Sequence, residues 1–316
     1  MDVHGPLLRL LDERTGFGEL RSAAEALYRR LADAAELDAA AHGPQREGTA
    51  TGGGRAISPV EAAWCVLDYR RTATFLRGVL AALAAARARF RGRLEVVYAG
   101  TGPFATLLLP LLPRLAPRGL RVTLIDLHAR SIASVGRLVV ALGASDAVAA
   151  TVTADAATYR HGRSIHVAIA ETMQRALENE PQVAVSRNLA RQLAPGGILV
   201  PERVSVHLGA WRAGEPRTGR AGQVELLRLR STVARTLPRV LAAGRVVTVP
   251  RPREHEGLAL LTRVGVFGRH RLEVNDSAIT LPREVPALLA HAGRPVRARY
   301  DGGARPGFVF APAAAG

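Results

Sequence analysis

The chain has 316 residues, of which 48% are hydrophobic and 22% charged, enough apolar surface for a sizeable core and too much for a disordered chain. One cysteine, Cys65, excludes an intramolecular disulfide and a multi-cysteine metal site, so no metal is expected and a reducing cytoplasm is the expected compartment. The 43 basic residues are all arginine and outnumber 27 acidic ones to give +16, but the excess falls on loops and strand-like stretches without interleaved aromatics, which predicts a solvated basic face and no nucleic-acid partner.

Met1 to Leu11 lacks the cationic start and apolar run of a signal peptide. The best apolar run, Ala105 to Leu115, is broken by Pro110, Pro113 and Arg114. It falls short of the roughly 18 residues a bilayer span needs, so no membrane association is expected.

Residues 1–57 read as a helical extension and a linker. Leu20, Ala24, Leu27 and Leu31 recur at helical spacing within a helix predicted over Leu20 to Ala41. His42 to Arg55 is polar and contains Thr51-Gly52-Gly53-Gly54, which predicts a flexible linker. Ser58-Pro59 with Glu61 is a helix start. That helix is expected to run to about Val79, with a second through Ala88.

Residues 58–201 then alternate strand and helix. Strands are predicted over Leu94–Ala99, Arg121–Leu127, Ala150–Thr153 and Ile165–Ala170. Helices are predicted from Ala105, over Ser131–Leu142 and over Val183–Leu193, and Ala194 to Gly197 turns into a strand over Ile198–Val200. This alternation predicts an α/β fold with a Rossmann-like, doubly wound parallel sheet. Residues 202–316 read as a β-rich, barrel-like domain. Its strands are expected at Val204–Leu208, Arg245–Val249, Leu258–Val266 and Arg269–Val274, with a helix inserted over Val224–Leu241.

The turn after the first strand reads Tyr98-Ala99-Gly100-Thr101-Gly102-Pro103-Phe104. Gly100 and Gly102 let a backbone approach a ligand closely. Asp126 closes the second strand, where an acidic side chain accepts ribose hydroxyls, and Asp155 follows the third strand at the edge where such sheets bind ligands. This set resembles the class I S-adenosylmethionine (SAM) methyltransferases. A dinucleotide oxidoreductase would keep a third glycine where Phe104 stands.

The stretch after the fourth strand narrows the resemblance. Glu171 and Glu180 lie nine positions apart, and Leu193-Ala194-Pro195-Gly196-Gly197 follows the next helix. Upstream stands Asp68-Tyr69-Arg70-Arg71-Thr72. Together these are similar to the protein arginine methyltransferase family over roughly residues 60–205. The resemblance implies SAM as cofactor, held by Arg71, Tyr98, Gly100, Gly102, Asp126 and Asp155, with Arg71 pairing the methionine carboxylate. It also implies a homodimer, Glu171 and Glu180 as catalytic carboxylates, and Tyr69, Met173 and Glu178 as weaker substrate contacts.

The chemistry of a carboxylate pair is independent of the family. A guanidinium is planar and stays charged, with a fork of donors. Two carboxylates can each accept a pair of its hydrogen bonds and aim one nitrogen at an electrophile. The family's acid stands where Tyr98 is, its third glycine where Phe104 is, and its Thr-His-Trp motif is absent. Those departures point to a small cationic substrate: the guanidino group of arginine or an arginine-like metabolite, as in natural-product biosynthesis. The alternatives are N-, O- or C-methylation of another small molecule, or methylation of protein arginine. Cys65 is expected as a buried small hydrophobe, His128 on the surface, His166 in a strand, and His161 near the site.

Overall fold

The computed structural model describes residues 1–37, 48–115, 119–212, 214, 222–231 and 244–313. Two helices, α1 (His4–Leu11) and α2 (Phe17–Ala34), open the chain. The predicted stripe of α2 is real: Leu20, Ala24, Leu27 and Leu31 are all buried. The helix stops at Ala34 rather than Ala41, and residues 38–41 lie outside the described residues.

The expected flexible linker is partly overturned. Its residues 42–47 lie outside the described residues, but the rest forms a hairpin, β1 (Thr49–Thr51) and β2 (Gly54–Ala56). Thr51 holds the turn: its hydroxyl donates to the Gly54 carbonyl at 2.9 Å and accepts from the Gly53 N–H at 3.3 Å. Gly53 and Gly54 serve close approach. Gly54 has φ +140°, and a Cβ there would stand 2.6 Å from the Asn179 carbonyl oxygen.

Ser58 caps α3 (Pro59–Trp64) through a full capping box with Glu61. The helix does not continue to Val79. A 3-10 turn over Cys65–Leu67 leads to Asp68, which leaves helical geometry and accepts from the Arg71 N–H at 3.2 Å to start α4 (Tyr69–Arg89). The break turns the chain and presents Arg71 from the first turn of a new helix.

The parallel sheet then builds from β3 (Leu94–Ala99), β4 (Leu120–Asp126), β5 (Val148–Thr153), β6 (Ile165–Ala170) and β7 (Leu193–Val200). Its order is β5-β4-β3-β6-β7, all parallel, with α5 (Ala129–Ala141) and α6 (Gln182–Ala190) among its crossovers. This is the predicted Rossmann-like, doubly wound α/β sheet. Ala194 to Gly197 bulge within β7, whose register to β6 shifts there before Ile198 pairs with Val167. Register aligns the carboxyl ends: Ala99 faces Ile125 and Ala170, and Asp126 faces Thr153. Residues that follow these ends therefore share one edge.

The C-terminal region is antiparallel and strand-rich, as expected. Its strands are β8 (Arg203–Trp211), β9 (Val224–Arg230), β10 (Arg245–Thr248), β11 (Gly257–Phe267), β12 (His270–Leu272), β13 (Arg283–Glu284), β14 (Pro295–Asp301) and β15 (Gly307–Pro312). One sheet runs β12-β11-β8-β9, with β13 on β11, and the other runs β10-β14-β15. The helix predicted from Val224 is instead β9 as far as Arg230, and residues 232–241 lie outside the described residues. Leu227 and Leu229 are buried around exposed Arg228, a period of two, and β9 pairs with β8. Pairing and burial override the helix-forming composition there.

Candidate active site

The loops at the sheet's carboxyl edge are tied together by backbone hydrogen bonds. Gly100 and Gly102 both adopt positive φ, +71° and +56°. A Cβ on Gly100 would collide with Thr172 Cγ2. The N–H groups of Gly100 and Thr101 donate to the Ile125 carbonyl at 2.9 and 3.2 Å. Gly102 donates to Asp126 Oδ2 at 2.8 Å, and the His128 N–H donates to Asp126 Oδ1 at 2.9 Å. A carboxylate has about four acceptor positions, so buried Asp126 keeps capacity for further donors. Asp155 Oδ1 accepts from the Ala157 N–H at 2.8 Å, which fixes the third loop of this edge.

Tyr98 and Phe104 depart from the expected pattern for packing reasons. Tyr98 is buried at the end of β3, and burial pushes its phenol well above the ordinary tyrosine range. Phe104 is buried edge-to-face on Tyr28 of α2, with ring centroids 5.9 Å apart. The N-terminal helices thus supply the partner for an aromatic where a third glycine was expected.

Glu171 follows β6 directly. It is buried, and its Oε2 accepts from Arg71 Nη2. Its Oε1 is also buried and has no hydrogen-bond partner among the described residues, a costly state unless a donor arrives. Gln182 braces the chain behind it: Gln182 Oε1 accepts from the Thr172 N–H at 2.8 Å and Gln182 Nε2 donates to the Ala170 carbonyl at 3.0 Å. Glu180 is 8% exposed. Burial pushes its carboxyl up to about 7, against the pull of Arg71 and a hydrogen bond from Gln174.

The loop between these glutamates is strained. Ala176, Leu177 and Asn179 all have positive φ, +57°, +57° and +60°, a region such residues avoid. The C-terminal sheets hold them there. Thr262 Oγ1 accepts from the Ala176 N–H at 2.7 Å, the Tyr300 hydroxyl donates to the Leu177 carbonyl at 2.7 Å, and the Asn179 N–H donates to the Pro306 carbonyl at 2.9 Å. Glu178 turns away to Arg283, whose Nε donates to it at 3.0 Å. These positioning residues carry no sequence signal, since each works only through a distant backbone group. Tyr300→Phe strips a buried carbonyl of its donor, which costs about 1–3 kcal/mol. Its expected signature is a lower melting temperature in differential scanning calorimetry.

Glu171, Glu180, Arg71, Tyr98, Gly100, Gly102, Asp126, Asp155 and Met173 all line one cleft of about 1020 Å³. Tyr69 and Glu178 are not in its wall. Tyr69 packs half-buried on the core, and Glu178 belongs to the Arg283 pair. His161 lies by the opposite sheet edge, its Nε2 2.8 Å from Glu95 Oε1 near the start of β3, so it is not near the site. His166 is in β6 as expected, stacked on Phe90. His128 is not a surface residue: it lines the cleft between Asp126 and Thr49 Oγ1, the latter at 3.0 Å from Nε2. Cys65 is half-buried in the cleft wall rather than inside the core.

Three cleft features escaped the sequence reading. Thr101 Oγ1 and Ser131 Oγ are buried without partners among the described residues. The β1–β2 hairpin supplies Thr51 and Ala56 to the wall. Only Thr101, between the two glycines, carried a positional hint. Among the described residues no group of His, Cys, Asp and Glu is arranged to hold a metal ion, and no helix is long and apolar enough to cross a membrane.

No family model matches the chain, and no curated protein matches it either. Among solved structures the chain is similar to the Trypanosoma brucei PRMT1 enzyme-prozyme heterotetrameric complex with AdoHcy. The identity is 12%, the match covers 75% of this chain and 86% of that one, and the TM-score is 0.49. A likeness at that level speaks to neither activity nor substrate.

Proposed function

We propose that this protein is a SAM-dependent N-methyltransferase whose acceptor is the guanidino group of arginine or an arginine-like metabolite. The observation that carries the reading is Glu171 Oε1, a buried carboxylate oxygen without a donor among the described residues, in the same cleft as buried Glu180. A planar fork of N–H donors is the ligand such a pair fits.

The cleft residues fit the cofactor. Asp126 has acceptor capacity for ribose hydroxyls. The orphaned hydroxyls of Thr101 and Ser131 can hydrogen-bond a polar nucleoside. Arg71 has five donors and gives one to Glu171, so others remain for a carboxylate. When bound, SAM would supply a methyl group activated by its sulfonium.

The chain's own residues do the rest. Glu171, tethered to Arg71, accepts from the guanidinium and fixes its plane. Glu180 accepts from the second edge, so that one nitrogen is oriented toward the nucleoside side of the cleft. A nitrogen that gains a methyl must lose a proton. Glu180, with its carboxyl raised to about 7, is matched to receive it at Oε near neutral pH.

Calorimetry with S-adenosylhomocysteine, followed by transfer of a labelled methyl from SAM to free arginine, tests the reading. Binding of the nucleoside and label in arginine are expected. Nucleoside binding without transfer to any guanidino compound would overturn the acceptor assignment, and no binding would overturn the cofactor.

A further inference from the structure

We propose that Arg55 and Glu61 form an outer subsite for the α-carboxylate and α-ammonium of a free amino-acid acceptor. This rests on the guanidino reading above and names the other end of the substrate. A second cavity of about 430 Å³ is lined by Gly48, Arg55, Ile57, Glu61, Gln174 and Asn179. It adjoins the carboxylate end of the cleft. Ile57 lines both, Gln174 follows the cleft residue Met173, and Asn179 precedes Glu180. Asp126 and Asp155, of the nucleoside end, line only the main cleft.

Both charged groups are held on rigid backbone. The Arg55 N–H donates to the Asn179 carbonyl at 2.6 Å, and Gly54 before it packs too closely on that loop to admit a Cβ. Glu61 is fixed by the cap of α3: its Oε2 accepts from the Ser58 N–H and hydroxyl, each at 2.9 Å. Its Oε1 has no partner among the described residues, and neither has the Arg55 guanidinium. Opposite charges that face one cavity without pairing to each other are complementary to a zwitterion, whose two charges bridge them. Gln174 and Asn179 add amide donors and acceptors, joined to each other at 3.5 Å. A peptide-bound arginine has neither α-charge, so this subsite selects the free amino acid.

The test is calorimetry on the S-adenosylhomocysteine-loaded protein with three ligands: arginine, agmatine, which lacks the carboxylate, and Nα-acetylarginine, which lacks the ammonium. Arginine is expected to bind about tenfold or more tightly than either, the scale of one charge-assisted hydrogen bond. Arg55→Gln should erase the preference over agmatine. Glu61→Gln should erase the preference over Nα-acetylarginine, and its amide oxygen can still serve the Ser58 cap. Equal binding of all three by the wild type, or equal weakening of all three in either variant, overturns the subsite and leaves the guanidino reading standing. Nucleoside binding with no affinity for any of the three overturns that reading, and the subsite with it.

Discussion

Glu180→Gln is expected to lower kcat by about 10²–10⁴-fold and, at pH 8, to make the protein more stable. The two effects share one cause. Burial lifts the Glu180 carboxyl from 4.5 to about 7. Between those values the folded chain holds a proton that the unfolded chain has released. Stability therefore falls as pH rises through this window, and by pH 8 the ionised, buried carboxylate costs about 3 kcal/mol. Glutamine keeps the shape and carries no charge, so it is relieved of this cost at pH 8 and gains little at pH 4. Thermal unfolding of both proteins at the two pH values measures it. In the wild type, kcat/KM should rise with pH to a plateau above about 7, because the proton acceptor works only when ionised. A variant of unchanged stability and near-normal turnover would remove Glu180 from the proposed proton transfer.

The parallel sheet was legible because its central strands, β3 and β6, are buried on both faces. Val96–Ala99 and Val167–Ala170 are continuous apolar runs, as central parallel strands must be. Once their order is known, Gly100, Asp126, Asp155 and Glu171 fall at one edge by register alone. Strand β9 was illegible because its leucines and arginines suit a helix as well, and only pairing with β8 decides. The hairpin was misread because glycine marks both freedom and close approach, and the contact with Asn179 that separates the two is 125 residues away in sequence. The physical reason that Glu180 and not Glu178 enters the cleft lay deepest. Two acids separated by one residue look alike in a sequence. A loop bent through left-handed Leu177 and Asn179 sends one to Arg283 and the other into the cleft. That bend is enforced by Thr262 and Tyr300, 86 and 123 residues beyond the groups they hold.

The Arg71–Glu171 pair carries the other large expectation. Both side chains are nearly removed from water, at 13% and 3% exposure. Arg71→Met leaves Glu171 charged and unpaired in the cleft wall, a change that costs about 3–5 kcal/mol. The melting temperature should fall by roughly 10 °C, and nucleoside affinity should fall with it because Arg71 is the cation at the proposed carboxylate end. Desolvation of two charges offsets much of their attraction, so removing both ought to be mild. The double variant Arg71→Met, Glu171→Leu is therefore expected to recover most of the lost stability while remaining without turnover. Differential scanning calorimetry of the wild type, the single variant and the double variant separates the two roles. Recovery of stability without activity would show that the pair is retained for the ligand and not for the fold. A double variant as unstable as the single one would instead mean that Arg71 holds α4 to the sheet edge in its own right, and that Glu171 answers to it as a structural partner.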